Sequence, residues 1–597
     1  MLVKWLRAKI SYNKFLHFVA LSAASALTAF PVLVFNGHGW YPFIDFFKWA
    51  LVFSIAAYGT GTAAFMFLGD RPGIQVTRIE LAWLALVLLL AIQPFILPLR
   101  SFHEWVRNAY FFAAFGGAVF MLRNLPIDEV LPGILRVVTA AGGLSTLFGF
   151  IQNLKPKIKF PFILDARGAP DRFLGNTGMD NILGVYLALA IVAGAWLLLN
   201  GRGSGKSAPA VKAFDFTLLA FNCAGMWRTG TRSAFIACAT GIVVLLMFFR
   251  SQPGLLKKCL KTLAVIAALA ACIMFVSPSA LQVERRDMNK LFTADALSVS
   301  YEGRYSIWLT TLEMIKTAPL FGVGLGNYKW NYLDALSISR EIYPLRPRYT
   351  FWAHNEYLQW IAETGAIGGI LFFSFLIYCI CLCLRGIKKE SNEKNEKKAF
   401  LVWSLSAIAV LTADSLFSRP MHHADTAFTL ALALAMISRL ESAPVKLSSK
   451  MRLGVSGIML SLSLSGLILF SQSFQGQSYL GEYFYNSLYI ALSPSEERER
   501  EKHPFLLEDA YFQLTARENY NRTLLNFGDV EQNEKDAIRL LARYFETQPR
   551  YEELNCLMLL YQKRGNTEEA RRYFKYYPPG EIEKFLGGRF DGKYMTN

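Results

Sequence analysis

Long apolar runs separated by short polar loops set the pattern of this chain. Runs approaching the ~20 residues that cover ~30 Å of hydrocarbon fall at roughly 14–35, 46–68, 79–99, 105–122, 132–152, 182–199, 214–227, 232–249, 262–277, 364–384, 399–418, 424–438 and 453–471. About thirteen transmembrane helices are therefore predicted. The seventh is short, and Arg228 to Arg232 interrupts it from its successor, so 214–250 also reads as one broken pair. The first run has full span length and no small-residue cleavage site follows it, which predicts a retained helix rather than a signal peptide. Two stretches break the rhythm: a large polar loop over 279–363 and a polar tail over 472–597. The fold class expected is all-α and polytopic, with a membrane domain over 1–440, a loop and last span over 441–471, and a helical tail. In that tail Leu554, Leu557, Tyr561, Ala570 and Phe574 fall at the spacings of a tetratricopeptide helix pair, with Ala537 one repeat length before Ala570. Met558 stands where such repeats usually have a small residue, and a plain amphipathic hairpin accounts for the same spacing.

Composition agrees with a bilayer solvent: 53% of residues are hydrophobic and 47 are Phe. The net charge of +17 is concentrated in alternate short loops. Lys4, Arg7, Lys9 and Lys14 open that series, Lys257, Lys258 and Lys261 continue it, and Arg439, Lys446, Lys450 and Arg452 close it. The positive-inside rule then predicts a cytoplasmic N-terminus and, with an odd span count, a tail on the outside. The charge is orientation bias and makes no case for nucleic acid. The 8 cysteines have neither disulfide nor zinc spacing, and most sit in or beside apolar runs.

Two outer loops depart from the bias. One, over 153–181, carries Lys155, Lys157, Lys159, Arg167 and Arg172; the other carries Arg285, Arg286, Arg304, Arg340, Arg346 and Arg348. Between two apolar runs lies Trp227-Arg228-Thr229-Gly230-Thr231-Arg232-Ser233. Arginine at membrane-surface depth is costly unless paired or hydrated, and its fork matches phosphate oxygens. Arg228, Arg232 and Arg304 are the candidates for holding an anionic diphosphate headgroup, against the plainer reading of helix-end anchors. Six of the 7 histidines fall on the predicted outside, so location alone selects none; His354 stands out by its setting, Trp352-Ala-His-Asn-Glu-Tyr-Leu-Gln359 just before a span. A near-neutral pKa suits it to accept a hydroxyl proton in a group transfer. Asn355 and Glu356 are candidates to orient its ring; Asn176 and His422 are further accessory candidates, the latter beside His423 in a short outer loop. Gly322-Val-Gly324-Leu-Gly326 lacks the spacing and the strand–helix context of a dinucleotide fingerprint, so a tight turn is expected. No carboxylates cluster at metal-ligand spacing, so no metal and no cofactor are expected.

Arg304-x3-Trp308, Pro319-Leu-x-Gly-x-Gly-x-Gly-Asn327, His354-Asn-x-Tyr-Leu-Gln359 and Glu363-x-Gly365-x-x-Gly368 together resemble the O-antigen ligase/polymerase superfamily. Arg228-x3-Arg232-Ser233 is similar to that family's basic motif at the start of a membrane helix, and Phe173-Leu-Gly-Asn176 to its preceding outer-loop motif. The resemblance implies a GT-C-like fold in the bacterial inner membrane, with loop 279–363 and the tail periplasmic. It also implies a metal-independent, inverting glycosyltransferase drawing glycan from an undecaprenyl-diphosphate carrier. His354 then matches the catalytic position, and Arg228, Arg232 and Arg304 match those that bind the carrier diphosphate.

The acceptor stays open within the superfamily. Lipid A-core, in lipopolysaccharide biosynthesis, is the acceptor of ligases; a growing glycan is that of polymerases; Ser or Thr of a protein is that of O-oligosaccharyltransferases, whose O-glycosylation a repeat tail binding a protein partner would suit. Asn176-Thr177-Gly178 stands where relatives often have Asn-Pro-Asn. A flippase for lipid-linked glycans is the alternative from another class, and it would be expected to show paired halves; a scaffold without catalysis is the third.

Overall fold

The computed structural model describes residues 12–33, 74–153, 163, 173–200, 208–249, 264, 294–342, 350–389, 396–441, 445–446, 448, 450–451, 453–468, 523, 528–547 and 551–593. The expected span 46–68, that at 262–277 apart from residue 264, the short loop 36–45 and the basic residues at 155–172, 285–286 and 346–348 lie outside the described residues. Over every other expected span there is a helix. These are α1 (Tyr12–Thr28), α2 (Arg78–Ile96), α3 (Phe102–Asn124), α4 (Ile127–Asn153), α5 (Asp180–Asn200), α6 (Ala208–Thr229) and α7 (Arg232–Phe249). After α8 (Ala294–Thr317) and α9 (Tyr328–Ile342) come α10 (Glu356–Lys389), α11 (Glu396–Asp414), α12 (Ala424–Ser438) and α13 (Leu453–Ile468). The tail holds α14 (Val530–Thr547), α15 (Tyr551–Arg564), α16 (Thr567–Arg571) and α17 (Pro579–Leu586). The chain is mostly helical, and among the described residues α2, α4, α5 and α10 are long and apolar enough to cross a membrane. Gly230, left-handed at φ 61°, turns the corner between α6 and α7, so 214–250 is two helices.

These helices and loops form two compact units. The first comprises 1–88, 110–297 and 370–470. At its centre is α5, apolar all round and buried along nearly its whole length, as a helix surrounded by helices must be. It packs on α4, α6, α7 and α11, while α1 lies against α4 and α12. Small residues set the approach: a Cβ on Gly184 would come within 2.9 Å of Ala234 Cβ at the start of α7. On α2, by contrast, Leu81, Leu84 and Leu88 form an exposed apolar stripe at helical spacing, a surface suited to lipid. The described cysteines are free thiols.

The second unit comprises 89–109, 298–369 and 471–597. Here the polar loop and the tail share one hydrophobic core. Ile307 and Met314 of α8, and Tyr328, Tyr332 and Leu336 of α9, belong to the same cluster as Leu541, Phe545, Leu554, Leu557 and Tyr561 of the tail. At the edge of this core Asp334 of α9 accepts hydrogen bonds from Lys575 Nζ at 2.9 Å, from Tyr576 Oη at 2.9 Å and from Arg100. Burial alone would push the Asp334 carboxyl up, but the bonds from Lys575 and Arg100 outweigh it and hold the group below the usual carboxylate range. A carboxylate with a depressed folded pKa stabilises above its unfolded pKa of about 3.9 and loses that contribution as pH falls through the folded value. Asp334→Asn is therefore expected to loosen the tail at neutral pH, and Lys575 is exposed enough that the effect should be only about 1–2 kcal/mol. Amide exchange of α15 followed from pH 7 down through the carboxylate range checks this: wild type and variant should differ at pH 7, and the difference should shrink as the pH falls below about 3.9.

Candidate functional site

The glycine-rich segment is a turn, and the accounting of its amides shows what it cannot be. Gly322 N–H donates to Ala318 O (3.0 Å), Val323 to Ala362 O (2.9 Å), Gly324 to Glu363 O (3.1 Å) and Asn327 to Gly324 O (3.0 Å). Leu325 N–H donates to Gln93 Oε1 (3.0 Å) and Gly326 N–H to Glu363 Oε2 (2.9 Å). Six consecutive amides thus point into protein, leaving none to cradle a phosphate as a glycine-rich nucleotide loop would. The loop instead lies backbone-to-backbone on 362–367, where Ala366 N–H donates to Pro319 O (2.8 Å). Gln93 clasps both segments, donating from Nε2 to Phe321 O (3.1 Å) and Glu363 O (2.9 Å). Ser101 and Asn327 exchange a reciprocal pair, Ser101 N–H to Asn327 Oδ1 at 2.7 Å and Asn327 Nδ2 to Ser101 O at 3.1 Å.

Against this scaffold sits His354, which has φ 49° and is the only non-glycine residue with positive φ among the described residues. A left-handed backbone costs an ordinary residue about 1–2 kcal/mol, and such strain gathers at functional sites when the surroundings over-determine it. They do so here. Asn355 Oδ1 accepts from Leu358 N–H (3.0 Å), capping α10 immediately after His354. That cap carries the helix back to Glu356, further than the run at 364–384 suggests, with a kink at Gly365 inside it. Immediately before His354, Ala353 O accepts from Trp308 Nε1 (3.1 Å). Arg304 lies one helical turn before Trp308 on α8, on the face that reaches the His354 corner. The Trp352 ring meets the imidazole edge-on with centroids 6.3 Å apart. Glu356 is fully buried in the first turn of α10. Arg304, His354, Asn355 and Glu356 thus belong to the second unit.

Arg228, Arg232, Asn176 and His422 belong to the first unit. Arg228 is in the last turn of α6 and Arg232 is the first residue of α7, so the Gly230 corner has a cation on each side, the second at a positive helix N-terminus. The Phe173-Leu-Gly-Asn176 segment joins them: the Arg228 guanidinium lies 5.9 Å from the centre of the Phe173 ring. Asn176, buried, donates to Leu33 O, and Gln152 Nε2 donates to Gly175 O at 2.6 Å. His422 is buried in a short 3-10 turn with its ring edge-on to Phe112 at 5.2 Å. Among the described residues no three His, Cys, Asp or Glu side chains are grouped as metal ligands.

Gln93 was not among the candidates read from the sequence. Its signal was there, a lone amide one residue before Pro94 in a helix otherwise apolar after Glu80, where a buried polar side chain demands partners.

Comparison with known proteins bears on this arrangement. Residues 217–373 match the family model described as O-Antigen ligase. That stretch contains Arg228, Arg232, Arg304, His354, Asn355 and Glu356, and it leaves out Asn176 and His422. Over 292 residues the chain is 24% identical to the Exopolysaccharide production protein ExoQ of Rhizobium meliloti (strain 1021), covering 48% of this chain and 62% of that relative, less than two thirds of its length. Residues 217–373 therefore form an O-antigen ligase region, and this match, with the exopolysaccharide-production relative, supports the O-antigen ligase/polymerase superfamily that the motifs resemble.

Proposed function

We propose that this membrane protein transfers a glycan from an undecaprenyl-diphosphate carrier to an acceptor hydroxyl, with inversion and without a metal ion. The acceptor oxygen attacks the anomeric carbon, the bond from that carbon to the diphosphate oxygen breaks, and the hydroxyl proton passes to His354. The diphosphate leaves as an anion whose charge Arg228, Arg232 and Arg304 offset. The observation that carries the reading is the left-handed backbone at His354, held at the head of a short helix that a break at Gly365 joins to a long apolar one, within a stretch matching an O-antigen ligase model. The wider architecture goes with it: about thirteen spans in a GT-C-like fold, an inner-membrane location, a cytoplasmic N-terminus, and a periplasmic loop and tetratricopeptide-like tail.

Lipid A-core is the acceptor in the first reading, following the ligase description of the matched model. A growing polysaccharide is the second, favoured by the relative named for exopolysaccharide production. Purified protein in lipid, supplied with polyprenyl-diphosphate oligosaccharide and chelator, tests both. Lipid A-core, a second carrier-linked glycan and a Ser/Thr peptide are offered separately. Transfer in chelator supports the reading, and the productive acceptor selects ligase, polymerase or protein O-glycosylation. Arg228→Ala is expected to raise the donor KM about tenfold or more, as loss of a charge-assisted phosphate contact should. Donor crossing the bilayer with no transfer to any acceptor would make the protein a flippase instead.

A further inference from the structure

We propose that Gln359 is a positioning residue for His354, acting through the backbone of Ala353 and braced by Glu363; the inference rests on the reading of His354 as the proton acceptor. Gln359 Oε1 accepts from Ala353 N–H at 2.8 Å, while Ala353 O accepts from Trp308 Nε1 at 3.1 Å. The peptide groups on both sides of Ala353 are thus held, and the second of them contains the nitrogen of His354. The other end of the same side chain, Gln359 Nε2, donates to Glu363 Oε1 at 2.7 Å. Glu363 Oε2 in turn accepts from Gly326 N–H at 2.9 Å. Gln359 and Glu363 are both almost wholly buried.

The direction of every bond in this relay is set by chemistry. Two backbone N–H groups, of Ala353 and Gly326, can only donate, so the pair between them must supply two outward acceptors and one donor–acceptor contact. A glutamine next to a glutamate does this. Gln359→Glu alone puts two carboxylates in contact, and Glu363→Gln alone leaves one amide NH2 facing either the other NH2 or the N–H of Ala353 or Gly326. The exchange Gln359→Glu with Glu363→Gln restores all three bonds with the middle one reversed. The introduced carboxylate would accept from Ala353 N–H and from the introduced amide, whose oxygen accepts from Gly326 N–H. A Gln359 that merely fills space does not predict that the two impaired single variants repair each other, and a bond that serves stability alone does not predict repair of His354 reactivity in proteins that are all folded.

The experiment compares wild type, Q359E, E363Q, Q359M and the double exchange, each first checked for its thermal transition. Two readouts are taken: glycan transfer kinetics, and the rate at which diethyl pyrocarbonate modifies His354, followed on its own peptide. Single variants are expected to lose about a hundredfold in kcat with donor KM little changed, the cost of a slightly misplaced group. Their His354 modification rates should depart from wild type. The double exchange should return both readouts to within about threefold of wild type. A folded double exchange as impaired as the singles, or a Q359M with wild-type kcat and wild-type His354 reactivity, would overturn the proposal. If Q359M does not fold, the two charge variants and their exchange decide the matter. Should wild type transfer no glycan, the proposed function fails, and His354 reactivity across the series still tests the relay.

Discussion

Replacing His354 by alanine is expected to lower the rate of glycan transfer by about a thousandfold while leaving the protein folded, since positioned acid–base groups contribute roughly 10²–10⁴. The chain on either side of His354 is held by bonds of its own: Asn355 caps α10, and Ala353 is held between Gln359 and Trp308. A second variant separates chemistry from stability. Glycine adopts φ near 49° freely, so His354→Gly relieves the strain at the one described left-handed non-glycine position. Its unfolding temperature should match or exceed that of wild type, and its transfer rate should be as low as that of the alanine variant. Such a result is the expected trade between stability and activity at a strained functional residue. Transfer within tenfold of wild type in either variant would remove His354 from the chemistry.

The membrane helices were legible because hydrocarbon leaves few choices: the backbone must satisfy itself, and apolar runs of the right length become helices. The motif residues were legible as a set but not as a mechanism. Gly322 read as part of a turn and Gly365 as a motif glycine at the start of a span, yet nothing local says that each lets the other's segment pass within contact distance. Gln93 was hidden because its partners Phe321 and Glu363 are more than 200 residues away along the chain. The shared core of loop and tail was hidden for the same reason. Tyr328 and Leu557 each look like the inner face of their own amphipathic helix, and only the fold puts them in one cluster. Asp334 is an unremarkable acid on α9 until Lys575 and Tyr576 arrive from the tail. Local periodicity states that a face is buried, and it is silent on what buries it.

Gly365→Ala is expected to be the most damaging one-carbon change around the site. Gly365 has φ 69° and ψ −171°, a region that side chains other than glycine's hydrogen scarcely enter. A Cβ there would lie 2.3 Å from Leu320 C and O and 2.4 Å from Phe321 N. These are backbone atoms, so no rotamer change can clear the way. A Cβ on Gly322 would meet Glu363 C at 2.4 Å and Thr364 N at 2.5 Å from the other side, so the two segments touch through glycine in both directions. Admitting a methyl group means separating them and losing the bonds from Ala366, Val323 and Gly324 across the junction. Each such bond contributes about 1 kcal/mol and the backbone strain roughly 1–3 kcal/mol. The sum, on the order of 4–6 kcal/mol, is comparable to the whole stability of an ordinary domain. Gly580→Ala is the matched control: it lies in α17 with nothing within 4 Å of the added Cβ, and alanine there should be neutral or stabilise by up to about 1 kcal/mol. Thermal melting and monodispersity in detergent should show the first variant unfolded or lost and the second unchanged. A stable Gly365→Ala protein would mean that the junction yields easily, and the strained backbone of His354 would then have no rigid base to hold it.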